Sequence, residues 1–447
     1  MAASRWSQLL SRGALRGGLA RALSGNFIIR VAFTLLGFAN AILLARLLGV
    51  EGYGFYAAVV AMLNLLVIPS QFGFPVLATR EIARADTAQD MSMLRGVMGG
   101  SFRLVLLFSM VTVTLTCLSL IYLPVPESLR RPEVIWLVAA LVPLAAATAL
   151  LVAWLRGIGN VVLAMVPEQV VKPLGLLTVL SAFFLLGRSG EIDALDALSF
   201  YFLATMAALL VALYYCARRL RPRIAGARPQ TSYKAWLLAS VPIGLSGALQ
   251  IMNGQADLLL LGALGSLEDV GIYRVAIQLS LLVLFFKQVV NSVLAPRFAS
   301  LWSSNDRASL QRLVRRSSLL MVFSALPILL FFLVLGEWAI SLAFGADFAG
   351  AYDVLLILLA GQLVNVGAGS VGLLLNMTGH SRDVLRAVFF GSAFLVIGCL
   401  LLVPEYGAAG AAVANAVSVT TWNLIMFASV RVRLGISPSI LWPAQRV

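Results

Sequence analysis

From residue 24 to residue 430 the chain is a succession of apolar runs, each about the length of a membrane crossing, and that repetition leaves few folds open. A helix needs about 20 mostly apolar residues to cover roughly 30 Å of hydrocarbon, whereas barrel strands would alternate apolar and polar side chains. The runs here are continuous, so the expected fold is all-α and embedded in a membrane. Spans are predicted at 24–48, 56–80, 97–123, 133–156, 161–187, 195–217, 236–263, 271–297, 317–342, 353–377, 384–404 and 406–430, twelve in all. Only 12% of the 447 residues are charged, against about 25% in soluble domains, which excludes a soluble globular enzyme.

The few charges are strongly biased. The 33 Lys and Arg outnumber the 19 Asp and Glu, for a net charge of +14. With the N-terminus inside, the inner segments collect 24 basic residues and the outer loops four, Arg46, Arg130, Arg131 and Arg188. That asymmetry satisfies the positive-inside rule and places both termini in the cytoplasm. A nucleic-acid partner is excluded, because the basic and aromatic clusters of a binding groove are missing. The outer loops are short, so any chemistry would have to occur within the membrane. Cys117, Cys216 and Cys399 lie in apolar runs and read as small hydrophobes, and His380 lacks the spacing of a metal site. No cofactor is expected.

Residues 1–23 carry four Arg and no acid among Trp6, Leu9, Leu10, Leu15 and Leu19. This composition fits a transit-type presequence or an interfacial amphipathic helix. The second is favoured, since a secretory signal would need a contiguous apolar core and a cleavage site.

The sequence also repeats itself at an offset of 217 residues. Segment 48–80 contains Leu48-Gly49, Gly54, Tyr56, Leu65, Gln71 and Val76-Leu77-Ala78-Thr79-Arg80. Segment 264–297 contains Leu264-Gly265, Gly271, Tyr273, Leu282, Gln288 and Val293-Leu294-Ala295-Pro296-Arg297. Eight of the 27 positions from 54 to 80 are identical, where chance in apolar sequence gives roughly two or three. The predicted organisation is therefore a cytoplasmic amphipathic segment 1–23, an N-lobe 24–217 of six spans, a basic linker 218–235, a C-lobe 236–433 of six spans and a tail 434–447. An even number of spans per copy makes this a parallel repeat about an axis normal to the bilayer. The repeated residues read as architecture.

Seven ionisable residues remain inside the spans: Arg30, Arg103, Lys172, Arg274 and Lys287 against Glu168 and Asp257. Each costs at least about 2.5–3.5 kcal/mol on insertion scales, so such residues usually face a watery cavity or one another. The balance of +3 suits an anion, especially a phosphate group. Lys172 and Lys287 sit near mid-span, where snorkelling is hard. Arg30 and Arg103 lie close enough to the inner ends for snorkelling to explain them equally well, and Arg274 is near the outer end. Glu168 and Lys172 are spaced i, i+4 between Pro167 and Pro173, so they read equally as a structural pair or as a gate on a helix broken at bilayer depth. Gln250, Asn253 and Asp257 form one polar stripe of the seventh span, as interhelical hydrogen-bond partners or, for the acid, as a cation or proton site.

The opening Leu44-Ala45-Arg46-Leu-Leu-Gly49-Val-Glu51-Gly-Tyr53-Gly54-Phe-Tyr56 and the last entry Glu405-Tyr-Gly-Ala-Ala-Gly-Ala-Ala-Val-Ala-Asn415-Ala resemble the polysaccharide biosynthesis flippases. These form the oligosaccharidyl-lipid branch of the multidrug, oligosaccharidyl-lipid and polysaccharide exporter superfamily. The resemblance covers essentially the whole chain. It implies two six-helix lobes in a V with a central cavity, moving a polyprenyl-diphosphate-linked oligosaccharide from the cytoplasmic to the outer leaflet by alternating access. The setting it implies is the bacterial inner membrane and O-antigen, capsule or exopolysaccharide synthesis, with the bilayer, the lipid-linked oligosaccharide and other polysaccharide assembly proteins as partners. Arg30 matches a first-span position at which family members place basic residues. The expected substrate-binding set is Arg30, Arg103, Lys172, Lys287, Gln250 and Asn253, with Glu168 and Asp257 as gate or ion-coupling groups. A multidrug exporter would share the fold but favour an acidic cavity for its cationic drugs. A membrane glycan polymerase or ligase would need a sizeable outer loop.

Overall fold

The computed structural model describes residues 2–122, 130–187 and 192–438, with side chains described throughout except at 2–28, 120–121, 246, 248–253 and 292–293. Among the described residues there is no strand. In chain order the helices are α1 (Ala2–Gln71), α2 (Phe74–Thr87), α3 (Met91–Tyr122), α4 (Pro132–Gly157), α5 (Val161–Val166), α6 (Lys172–Leu185), α7 (Ala194–Ile224), α8 (Tyr233–Leu264), α9 (Leu267–Ser303), α10 (Arg307–Phe344), α11 (Ala351–Gly367), α12 (Val371–Met377) and α13 (Ser381–Leu434). A π turn, Pro167–Val171, joins α5 to α6. Among the described residues eight helices are long and apolar enough to cross a bilayer, or nine if the bent pair α11 and α12 counts as one span.

Two of the eight are too long to be single crossings. The apolar part of α1, Ile29–Gln71, has 43 residues and α13 has 54. At 1.5 Å per residue these measure about 65 Å and about 81 Å, more than twice the hydrocarbon thickness. Each is interrupted by a glycine with non-helical backbone, Gly49 (φ 68°, ψ −176°) and Gly407 (φ 49°, ψ −127°). A Cβ is strained at such angles, which is why glycine occupies both. At Gly407 space adds to the requirement, because a Cβ there would overlap the Asp269 carboxylate. Asp269 Oδ1 accepts the Ala408 N–H at 2.9 Å, and the same side chain forms a capping box with Ser266 at the start of α9.

Two expected spans are interrupted. The stretch 56–80 breaks at Phe72 and Gly73, with φ of 45° and 76°, and α2 restarts with Pro75 in its first turn. The stretch 353–377 bends by 41° between α11 and α12. In both, local turn chemistry overrides a continuous apolar pattern: Phe72-Gly73-Phe74-Pro75 in the first, Gly367-Ala368-Gly369-Ser370 in the second.

Packing divides the chain into two units, Met1–Leu47 with Met62–Ile251, and Leu48–Ala61 with Met252–Val447. The contacts therefore change units inside α1 and inside α8. In the first unit α2, α3, α4 and α7 share a core that includes Phe74, Ile82, Leu94, Leu150, Leu155 and Leu220. The stretch after α7 is fastened to one face of α3. Gln230 N–H donates to the Ser92 carbonyl at 3.1 Å, and Arg95 Nη1 donates to the Ala227 carbonyl at 2.6 Å. Gly96 and Gly100 let Gln230 and Trp236 approach the helix, and Arg103 Nη1 donates to the Tyr233 hydroxyl at 3.0 Å.

The second unit buries Tyr273, Phe298, Phe344, Phe348 and Leu355 completely. The stretch after α13 is fastened in a parallel way, with Ser437 and Gln311 exchanging two hydrogen bonds of 2.8 and 2.9 Å and Ser318 Oγ donating to the Pro438 carbonyl at 2.7 Å. The repeated glycines also meet in this unit. A Cβ on Gly54 would overlap the Leu267 carbonyl oxygen, and a Cβ on Gly271 would overlap that of Val50. Both Gly54 to Gly271 and Val50 to Leu267 are steps of 217 residues, so the contact is reciprocal, as a local two-fold axis between the two segments requires.

Candidate functional site

The sequence between Pro167 and Pro173 builds the most distinctive local geometry in the first unit. Pro173 has no N–H to donate to the preceding turn, and the helix accommodates both prolines by widening into the π turn. The Lys172 N–H reaches back five residues to the Pro167 carbonyl. Closing the turn one residue late takes Glu168 and Lys172 out of the i, i+4 register of a regular helix. Among the described residues no ion pair joins them. Lys172 Nζ instead donates to the Tyr201 hydroxyl of α7 at 2.6 Å, and lies 4.0 Å from the centre of that ring. Asn40 of α1 donates through Nδ2 to the Pro173 carbonyl at 2.8 Å. Two buried acceptors on these helices, Asn40 Oδ1 and Gln169 Oε1, have no donor among the described residues. An ammonium and three hydrogen-bonding side chains are thus contributed by α1, the π turn, α6 and α7.

The second unit holds two further in-span charges. Lys287 of α9 donates from Nζ to the backbone carbonyl of Asn365 at 2.6 Å and to its Oδ1 at 2.7 Å, and Asn365 Nδ2 is held by Gln362 Oε1 at 3.0 Å. Asp257 of α8 is only 1% exposed. Its Oδ2 accepts from the Tyr273 hydroxyl at 2.6 Å and from Asn415 Nδ2 at 2.8 Å, and its Oδ1 accepts the Leu258 N–H at 2.8 Å. Three hydrogen bonds thus satisfy the buried Asp257 side chain, as a buried polar group requires. Among the described residues Lys172, Lys287 and Asp257 all lean on neutral partners, and none enters an ion pair.

The remaining predicted residues fall elsewhere. Arg30 is exposed, and its carbonyl accepts from Thr34 at 3.0 Å. Arg103 is exposed and belongs to the fastening of the α7–α8 connection through Tyr233. Arg274 lies beside the Tyr53 hydroxyl. The side chains of Gln250 and Asn253 lie outside the described residues. Lys172 is thus brought together with the π turn and Lys287 with α11, while Glu168 and Asp257 sit apart from any basic partner within bonding distance. Sequence reasoning did not assign Tyr201, Asn365, Tyr273, Asn40 or Gln169. Their signal was present: Asn40 and Asn365 are amides inside apolar runs, and a buried charge needs such a partner. Among the described residues there is no cluster of three or more potential metal ligands.

Comparison with known proteins agrees with this architecture. A model of the polysaccharide biosynthesis protein family matches residues 22–302, well over half of the chain. A protein of Haloferax volcanii, named as a probable low-salt glycan biosynthesis flippase, is 24% identical over 409 residues, covering 90% of this chain and 81% of that one. Two solved structures share the fold. An inward-facing multidrug resistance MATE family transporter of the MOP superfamily aligns with a TM-score of 0.73 at 16% identity, over 90% of this chain and 94% of its own. The lipid II flippase MurJ in an inward closed conformation aligns with a TM-score of 0.69 at 14% identity, over 91% and 87%. The chain is therefore a multi-pass membrane protein and belongs to the polysaccharide biosynthesis protein family of membrane flippases.

Proposed function

We propose that this protein is the flippase for a polyprenyl-diphosphate-linked oligosaccharide, carrying it from the cytoplasmic to the outer leaflet of the cell membrane by alternating access, with both termini cytoplasmic. Family membership supports transport for glycan synthesis. The observation that carries the choice of an anionic lipid-linked substrate is the state of Lys172 and Lys287: two ammonium groups deep in apolar helices, held by Tyr201 and Asn365 and not by carboxylates. A cation in that state attracts a diphosphate more strongly than one already paired. Arg30, Arg103, Gln250 and Asn253 complete the proposed substrate set, and Glu168 and Asp257 are the proposed gate or coupling groups. An inside-negative potential favours outward movement of an anion by about 2.3 kcal/mol per charge per 100 mV.

Twelve spans follow in this reading by counting the two sides of Gly49 and of Gly407 separately, the bent pair once and α8 once. The reciprocal contact of Gly54 with Leu267 and of Gly271 with Val50 supports a two-lobe repeat. A multidrug exporter has the same fold, and the basic in-span balance argues against its cationic substrates. The test is complementation of a deletion strain with Lys172→Gln/Lys287→Gln. The proposal expects export to fall and the lipid-linked sugar to accumulate; unchanged export removes the two lysines from the substrate site.

A further inference from the structure

The inner end of the second unit carries a basic cavity that the transport reading does not use. It lies between the end of α9 and the start of α10, has a volume of about 490 Å³, and is walled by Arg297, Arg312 and Arg316 with Ser300 and Ser309 between them. Leu301 and Leu313 form its apolar part. The three guanidinium groups are not neutralised in place. The side chains of Arg297 and Arg316 make no hydrogen bond or ion pair among the described residues. Arg312 donates to Ser309 Oγ at 2.8 Å, and its charge is felt by Asp306 at the start of α10. Arg312 and Arg316 stand i, i+4 on one helix, where like charges repel. Such an arrangement is stabilised by an anion shared between them, and guanidinium forks and hydroxyls are the donors that suit phosphate oxygens.

The continuation of α10 says what carries that phosphate. At 100° per residue, Ser309, Arg312, Arg316, Leu320, Phe323, Leu330 and Val334 fall within about 80° of arc, on one face. The last four are 57%, 68%, 52% and 78% exposed. One face thus runs from arginines at the inner end to uncovered apolar side chains toward the membrane interior, the profile of a phospholipid lying along a helix. We infer that this cavity binds the phosphodiester headgroup of an anionic phospholipid of the cytoplasmic leaflet, with the acyl chains along the apolar face of α10. Basic pockets between membrane helices on the cytoplasmic side are suited to such headgroups.

The test uses the full chain purified in detergent, titrated with phosphatidylglycerol and with phosphatidylcholine and read by native mass spectrometry. The variants are Arg297→Gln, Arg316→Gln and the triple Arg297→Gln/Arg312→Gln/Arg316→Gln. Arg219→Gln/Arg221→Gln/Arg228→Gln, which removes three charges from the other unit, is the matched control. Phosphatidylglycerol should bind more tightly than phosphatidylcholine. Each single change should weaken it about fivefold and the triple about a hundredfold, the control leaving it unchanged. Equal affinity for the two lipids, an unaffected triple variant, or an equal loss in the control would overturn the assignment. Displacement of phosphatidylglycerol by millimolar inorganic phosphate would also overturn it, identifying a free-anion site. The single variants keep the experiment decisive if the triple does not fold.

Discussion

Replacing Gly54 with alanine tests the crossing of segment 48–61 with the start of α9. The added Cβ would overlap the Leu267 carbonyl oxygen and lie 2.9 Å from both the Leu267 carbonyl carbon and the Gly271 nitrogen. All three are backbone atoms, so no rotamer change relieves the clash and the helices must separate. Overpacking of this kind costs about 1–3 kcal/mol, against a gain of at most about 1 kcal/mol in helix propensity. Gly271→Ala meets the Val50 backbone in the same way. Because the two residues share one contact, separation forced by the first relieves the second, and the double variant should cost less than the sum by at least about 0.5 kcal/mol. Gly99→Ala is the control, since nothing lies within 4 Å of its added Cβ. Thermal unfolding can be followed with a thiol-reactive dye, because Cys216 and Cys399 are free and buried in the folded protein. Each crossing variant should melt about 2–8 °C below the parent and the Gly99 variant at or above it. Crossing variants that melt with the Gly99 variant would refute the close packing and the local two-fold contact with it.

Three further outcomes follow from the same geometry. Tyr273→Phe removes a 2.6 Å hydrogen bond to buried Asp257 and should cost about 1.5–3 kcal/mol in the same melt, while Tyr214→Phe on an exposed surface should cost nothing measurable. Asp306 caps α10 and accepts from Ser309 N–H, which holds its carboxyl below the ordinary value. A depressed folded value means that the stabilisation is fully present above the unfolded pKa of about 3.9 and is lost as pH falls through the folded value. Asp306→Asn keeps the cap and should flatten that acid-side slope in a melting-against-pH series; an unchanged slope would contradict it. Gly407→Ala combines a positive φ with overlap of the Asp269 carboxylate, so it should lower the melting point more than Gly99→Ala raises it.

Much of this molecule is legible in the sequence, and the part that is not has a common cause. Span positions follow from the thickness of the bilayer, so helices such as Met91–Tyr122 and Pro132–Gly157 lie close to the stretches 97–123 and 133–156 read from hydropathy. The repeat at 217 residues pointed to Gly54 and Gly271, and these meet. The breaks at Gly73 and between α11 and α12 were not anticipated, because a turn of two or three residues barely changes an apolar average. The fate of the in-span charges was the least readable. Glu168 and Lys172 have ideal helical spacing on paper, but the flanking prolines turn that spacing into a π turn and deliver Lys172 to Tyr201, 29 residues further along. Partners such as Asn365 for Lys287, 78 residues distant, are set by packing that no local pattern encodes. Asn415 and Gly407 were visible only as family-like residues, and each owes its identity to an acid on another helix, Asp257 and Asp269.

Whether this chain moves a lipid-linked anion is tested most directly in vesicles. The purified protein is reconstituted into liposomes that hold a fluorescent polyprenyl-diphosphate oligosaccharide in both leaflets, and the fraction accessible to an added membrane-impermeant reductant is followed with time. The protein should raise the accessible fraction above the outer-leaflet half, a polyprenyl-linked sugar without the diphosphate should move more slowly, and Lys172→Gln/Lys287→Gln should slow the charged substrate alone. Accessibility that stays at one half with the unaltered protein, or equal rates for charged and uncharged lipids, would contradict the proposed function.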